Sequence, residues 1–363
     1  MWRGESLTDL DVLKKRATSH LRDVSYGHRA QSSMAPQEAG KHVPQRNSSQ
    51  IHRRIVPCGV VKTLRDIESM SEVFRHLADV VRGVALFDFC GWECFNISVE
   101  DVLVVEEKFQ GSDQSYTVEK RVKISDLDYA KRLGDGQLPP AAICTSTNCF
   151  ISTEVEGHRY QYWKDAIAEM EDSDTDDEDW MLGPRTPPRP ATKEKPREAK
   201  LPPFRHNILH DGESVFWLAL YLLLTVCVLA RRGEDGALVA HGVDAGHQEE
   251  QRAFAQKLFA RPGCRFHFMR TDGTLLRHVS SLDPRVQRVL RSLDEMRKQI
   301  VQTYTVAESK LHRSPHSFVF DDRTWNPRRL LKTMAARFAQ ISKGLEDDDI
   351  LMLTEPGARQ SFE

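Results

Sequence analysis

The chain has 363 residues, 40% of them hydrophobic, enough for a real core, so disorder throughout is excluded. Fifty-one basic residues against 53 acidic ones leave a formal charge of −2, which removes any global electrostatic case for a nucleic acid or an anionic membrane. The seven cysteines form no C-x-x-C pair, and Met1-Trp2-Arg3-Gly4-Glu5 opens without an apolar signal core, so a reducing intracellular compartment, cytoplasm or nucleus, is expected. Cys90 and Cys94, or Cys144 and Cys149, lack zinc-knuckle spacing and read as buried free thiols.

In chain order, residues 7–17 read as a short amphipathic helix, with Asp9 and Asp11 early and Lys14 to Arg16 late, as a helix dipole prefers. Residues 25–50 are polar and without periodicity, hence loop or disorder. Ile55-Val56 and Val60-Val61 bracket a strand that ends in a turn. Ser69-Met70-Ser71-Glu72 then reads as a capping box, and Met70, Val73, Phe74, Leu77, Val80, Val81 and Val84 recur on one helical face. Gly91-Trp92 ends that helix, and Val102–Val105 and Val118–Ser125 read as a hairpin about the Gly111-Ser112-Asp113 turn.

Residues 169–179 hold eight acids in eleven positions, and residues 183–203 are rich in Pro, Lys and Arg, so both are expected to be an unstructured insertion in a surface loop. The run Val215 to Ala230 is apolar all round, which only a helix buried on every side satisfies. Its sixteen residues fall short of the roughly 18 to 25 of a membrane span, and the polar cluster His210 to Ser214 precedes it. A core helix is therefore expected, with Arg231-Arg232 as cations at its C-terminus. Asp283 and Pro284 cap and open a long helix carrying Val286, Val289, Leu290, Leu293, Ile300 and Val301, and Leu330, Leu331, Met334, Phe338 and Ile341 line a last one.

Four stretches in this order carry a resemblance to the fungal-type protein kinases. Lys123-Ile124-Ser125-Asp126-Leu127-Asp128-Tyr129-Ala130-Lys131 resembles their metal-binding stretch, in which D-L-D or D-L-E stands for D-F-G. Gly91 to Leu103 (GWECFNISVEDVL) is similar to their catalytic loop, H-R-D-I-S-x-G-N-I-L, and His210 to Trp217 (HDGESVFW) to the H-D-L-E-S-F-F-W that opens their central helix. Cys144 to Val155 (CTSTNCFISTEV) is similar to their R-T-G-T-x-x-F-M-A-x-E-x segment. The resemblance spans roughly residues 53–305 less the insertion.

What this resemblance implies is an α+β, mostly helical fold: a protein kinase-like C-lobe with a vestigial N-lobe. Residues 1–52 would be the remnant, 53–168 the hinge, catalytic loop and activation segment, 169–204 the insertion, 205–345 the remaining helices and 346–363 a tail. It implies Mg-ATP as ligand and Asn96, Ser98, Asp101 and Asp126 as site residues, with Asp101 and Asp126 the candidates for metal and cofactor. Asp126 reads equally as a cap of the turn after a strand. Asp211 corresponds to the residue that receives hydrogen bonds from the catalytic-loop backbone, and Glu154 to the acid that pairs with a late arginine, for which Arg277, Arg285 and Arg328 are candidates.

The departures weigh against catalysis. Asn96 replaces the Asp that takes the hydroxyl proton, a loss of roughly 10²–10⁴ in rate. Cys94 and Phe95 replace the preceding His and Arg, Asp101 replaces the Asn of the second metal, and no glycine-rich loop or V-A-I-K-like strand occurs in the first sixty residues. A pseudokinase serving as a binding or scaffold module for protein partners is expected, the alternatives being an active protein Ser/Thr kinase and a single-pass membrane protein. Ser173 and Thr175, each followed three residues on by an acid, suit an acid-directed kinase, and Thr186-Pro187 a proline-directed one. Pro187 to Pro190 fits P-x-x-P, while Lys193 to Lys200 is too short and too mixed with Glu to argue for nucleic acid.

Overall fold

The structure is a computed structural model. It describes residues 61–95, 97–110, 116–125, 127, 130–132, 149–162, 203–225, 230–232, 238–240, 245–260, 263–271, 273, 275, 277, 282–313 and 327–345. The expected helix at 7–17, the strand residues 55–60, the turn at 111–113 and the insertion up to residue 202 lie outside the described residues.

Strand β1 (Val61–Thr63) leads through a single turn of 3₁₀ helix into α1 (Met70–Phe89). Ser69 caps α1 by accepting from the Glu72 N–H, but Glu72 does not reach back to complete a capping box. Its carboxylate is drawn instead to Lys120, 2.6 Å away, with Arg75 and His76 on the same oxygen. The seven apolar positions read for this helix are all buried. Gly91, at φ +78°, turns the chain out of α1 into β2 (Trp92–Glu93).

β3 (Val102–Gln110) and β4 (Tyr116–Ile124) pair antiparallel from Val102↔Ile124 to Gln110↔Tyr116, and β1 pairs on the other side of β3. The hairpin is longer than its apolar residues alone announce, because Glu106, Glu107, Lys120, Arg121 and Lys123 also pair across it, Lys123 meeting Glu107 at 2.6 Å. β5 (Lys131–Arg132) pairs with β2, and a short helix α2 (Thr153–Gly157) follows.

The centre of the core is α3 (Ile208–Thr225), whose residues through Leu224 are all buried. It is long and apolar enough to cross a membrane by length and composition, yet 94% of it is buried in protein. The helix begins seven residues before the apolar run and takes in the polar cluster, whose side chains are all engaged within the fold. It ends at Thr225, so Arg231-Arg232 do not cap it: they lie in β6 (Ala230–Arg232), paired with β7 (Leu238–Ala240). α4 (Ala245–Phe259) and α5 (Cys264–Arg270) follow, then α6 (Pro284–Arg313), with the Asp283 side chain accepting from the Arg285 N–H, and α7 (Pro327–Gly344). α7 packs along α1, where Phe338 meets Phe74 at 5.9 Å, and its Leu331 reaches to 3.0 Å of where a Cβ on Gly212 would stand.

Candidate functional site

The loop after β2 is built on a strained backbone. Phe95 has φ +66°, a left-handed conformation that costs a bulky L-residue about 1–3 kcal/mol and needs external support. Asp211, in the first turn of α3, provides it: one carboxylate oxygen accepts from the Cys94 N–H and the other from the Phe95 N–H, both at 3.0 Å. The Phe95 ring stacks on His206 at 4.0 Å, with the Lys131 ammonium 5.7 Å from its centre.

His206 stands between two acids, 3.5 Å from Glu93 and 3.5 Å from Asp211. Burial works to lower its pKa, yet Asp211 and Glu93 together outweigh it and hold it above the ordinary value. Burial pushes Asp211 up to about 6 against the pull of His206 and the two amides. The Cys94 thiol is pushed well up by burial, then by Asp211 and Glu93, so it is a protonated core thiol and not a nucleophile.

Asn96 and Asp126 both lie outside the described residues, and their flanks carry the geometry. Ser98 donates its N–H to the Asp101 carboxylate at 2.8 Å, closing a tight turn. The Asp101 carbonyl in turn accepts from the Ser125 N–H at 2.7 Å and from the Ser125 hydroxyl at 3.1 Å. The Val102↔Ile124 pairing thus brings Asp101 against the residue that precedes Asp126. Among the described residues no three His, Cys, Asp or Glu side chains converge as a metal site, and one oxygen of Asp101 is committed to its own loop. The described donors do not by themselves fit a magnesium ion.

Glu154, in α2, sits in a buried cluster and not on an arginine. Its carboxylate accepts from the Gln161 N–H at 2.6 Å and lies 3.1 Å from His210 Nε2. His210 Nδ1 accepts the Asn207 N–H at 2.9 Å, so Nε2 carries the proton and donates it to Glu154. Burial drives the Glu154 pKa well up, and a contact with the Glu308 carboxyl adds to it, since two carboxyls share a hydrogen bond only when one is protonated. Of the arginines named for Glu154, Arg285 binds Asp283 and Arg328 binds Asp88. Arg265 is the arginine that reaches this segment, through Glu156 at 3.0 Å and the carbonyls of Cys149 and Ile151.

Glu213 is the residue that sequence reasoning passed over. Buried in α3, it accepts from the Thr153 N–H at 2.8 Å, Trp217 Nε1 at 2.9 Å and the Tyr304 hydroxyl at 2.8 Å, tying α2 and α6 to the central helix. An acid two residues from Asp211 at the head of an apolar helix was the available signal. Glu308 had none, because it lies far along the chain on a helix of mixed charge, with no motif around it.

A family model described as fungal protein kinase matches residues 5–223. The chain belongs to that family. No curated protein and no solved structure matches it. The fungal protein kinase match takes in the 94–101 loop, the hairpin, α2 and all but the last two residues of α3. It starts earlier than the stretch expected from motifs and stops well short of residue 305, so α4 to α7 lie beyond it.

Proposed function

We propose that this member of the fungal protein kinase family is a pseudokinase, built on a kinase-like larger lobe and serving as a binding or scaffold module for a protein partner inside the cell, in cytoplasm or nucleus, without nucleic acid or membrane. The observation that carries the reading is Asn96. At the position where the family's catalytic loop has Asp, the chain has an amide that takes no proton at any working pH. Around it the loop keeps its support, with Asp211 holding the two amides before Asn96 and Asp101 the turn after it.

Mg-ATP, where a kinase binds it, supplies the transferable phosphoryl group and the cations that neutralise charge on it. The residues here that would hold it are Asp101 and Asp126, and the position of the family's general base is taken by Asn96. A second reading, an active protein Ser/Thr kinase working by positioning alone, draws support from the hairpin that sets Asp101 against Ser125. Thermal unfolding with and without millimolar Mg-ATP separates the two, because a ligand present at a hundred times its Kd stabilises by about 2.7 kcal/mol. The expected result is no shift in wild type and none in Asn96→Asp. A rise in melting temperature in wild type, accompanied by phosphate transfer, would favour the enzyme, whereas transfer gained only by Asn96→Asp would mean a once-competent site disabled by Asn96.

A further inference from the structure

The face formed by α6 and α7 is cationic against an otherwise balanced chain. α7 carries Arg328, Arg329, Lys332, Arg337 and Lys343 and no acid, and the first ten residues of α6 carry Arg285, Arg288 and Arg291 and no acid; Asp88 offsets Arg328 and Asp283 offsets Arg285, and the remaining six keep the balance positive. Between the two helices opens a cavity of about 180 Å³, lined by Arg288, Ser292, Arg337 and Gln340 over an apolar floor that includes Val289 and Ile341. The Nε of Arg337 is buried there, with no hydrogen-bond partner among the described residues. A buried guanidinium N–H without an acceptor is costly, and a pocket that offers guanidinium, hydroxyl and amide donors together suits an oxyanion.

We propose that this pocket binds a phosphoserine or phosphothreonine within an acidic sequence, and that its occupant is the chain's own Glu169–Asp179 run once Ser173 or Thr175 is phosphorylated. An acid-directed kinase would transfer the γ-phosphoryl of ATP to the Ser173 hydroxyl, releasing ADP and a proton. The product has three terminal oxygens and nearly two negative charges, a match for several donors that one carboxylate does not make.

Reach is sufficient. Tyr162 is fixed to the far half of α6, its N–H on Glu308 at 2.8 Å and its ring stacked on Tyr304 at 5.0 Å. From Glu308 back to Ser292 the helix rises about 24 Å, and the eleven residues from Tyr162 to Ser173 extend to about 37 Å. The nearest competitor is the acidic stretch Glu346-Asp347-Asp348-Asp349, which follows Leu345 at the pocket wall.

The test uses the full chain, unphosphorylated, and a fluorescent peptide of residues 169–179 with phosphoserine at position 173, read by anisotropy. The expected result is binding at least about tenfold tighter than that of the unphosphorylated peptide. Arg337→Gln and Arg288→Gln should each weaken it about tenfold, Arg337→Lys less, and Lys332→Gln, outside the pocket, by under about twofold. Melting curves establish that each variant is folded, and Arg288→Gln on the exposed rim serves if the Arg337 variants are not. Full chain phosphorylated at Ser173 should no longer take up the peptide, its pocket being filled from within. Equal binding of the two peptides, equal loss in Lys332→Gln, or undiminished uptake by the phosphorylated chain would each overturn the proposal. So would binding that appears only after Glu346→Gln, Asp347→Asn, Asp348→Asn and Asp349→Asn are combined, which would make the tail the occupant.

Discussion

Asp211 shows how much one buried carboxylate controls. It satisfies two amides of the 94–95 turn, supports a left-handed phenylalanine and holds the charge of His206, and among the described residues no other side chain contributes to all three. Its folded pKa of about 6 lies above the ordinary value of 3.8, so its titration contributes stability that is fully present below about pH 4 and is lost as pH rises through 6. His206, also raised, acts in the same sense, its contribution being complete below 6.5 and lost above. Urea unfolding of wild type from pH 4 to 8 should show this fall. Asp211→Asn, whose amide cannot accept both N–H groups, should be less stable by about 2–3 kcal/mol at neutral pH and should show a shallower fall. A parallel pH profile in the variant would mean that another group carries the dependence. The Asp211 position was legible because the motif preceding the apolar run fixes it; His206 and Glu93 were not, since nothing local marks a residue as lying between two acids.

At the scale of elements, the apolar run alone starts the central helix seven positions late, at Val215, whereas the resemblance of His210 to Trp217 to a helix-opening motif comes within two residues of its start at Ile208. Polar side chains at a buried helix start look like a boundary in sequence, yet each here has a partner: Asp211 the loop, Glu213 the α2 and α6 donors, and Ser214 the His210 carbonyl at 2.9 Å. α1, α6 and α7 were legible because each carries an unbroken apolar face that α3 or a neighbour covers. α4 was not, since among its described side chains only Phe254, Ala255 and Leu258 make the buried apolar stripe. The carboxyl contact that joins α2 to α6 makes its own prediction. Glu154 has a raised pKa, so the contact stabilises below about pH 4.5 and weakens as pH rises and both acids seek to ionise. Glu308→Gln supplies an N–H to Glu154 in place of a shared proton. It should raise stability at pH 8 by about 1–3 kcal/mol, with little effect at pH 5, as measured by urea midpoints. Loss of stability at both values would show that the carboxyl pair is not protonated as described.

For the whole molecule, the long stretch from 163 to 202 leaves and returns at one place: the Tyr160 hydroxyl accepts from the Arg205 N–H at 3.1 Å and its ring meets Phe204 at 5.1 Å. Replacing that stretch with a Gly/Ser linker of about eight residues should leave the fold intact and raise stability by about 1 kcal/mol through the smaller closure entropy, read by thermal melting. A broad or lowered transition would show that the stretch packs into the core. Composition alone marked this stretch and the buried helix. Nothing in composition marked the arginine that serves α2, because Arg265 is chosen by the packing of α5 and not by any spacing to Glu154.

The central claim is that the lobe keeps its support and lacks its proton acceptor. Its most direct test is transfer of the ATP γ-phosphate to generic Ser/Thr protein substrates by the purified wild-type chain, run beside Asp126→Asn. The expected result is no transfer above the enzyme-free blank in either sample. Transfer by the wild type that Asp126→Asn abolishes would contradict it.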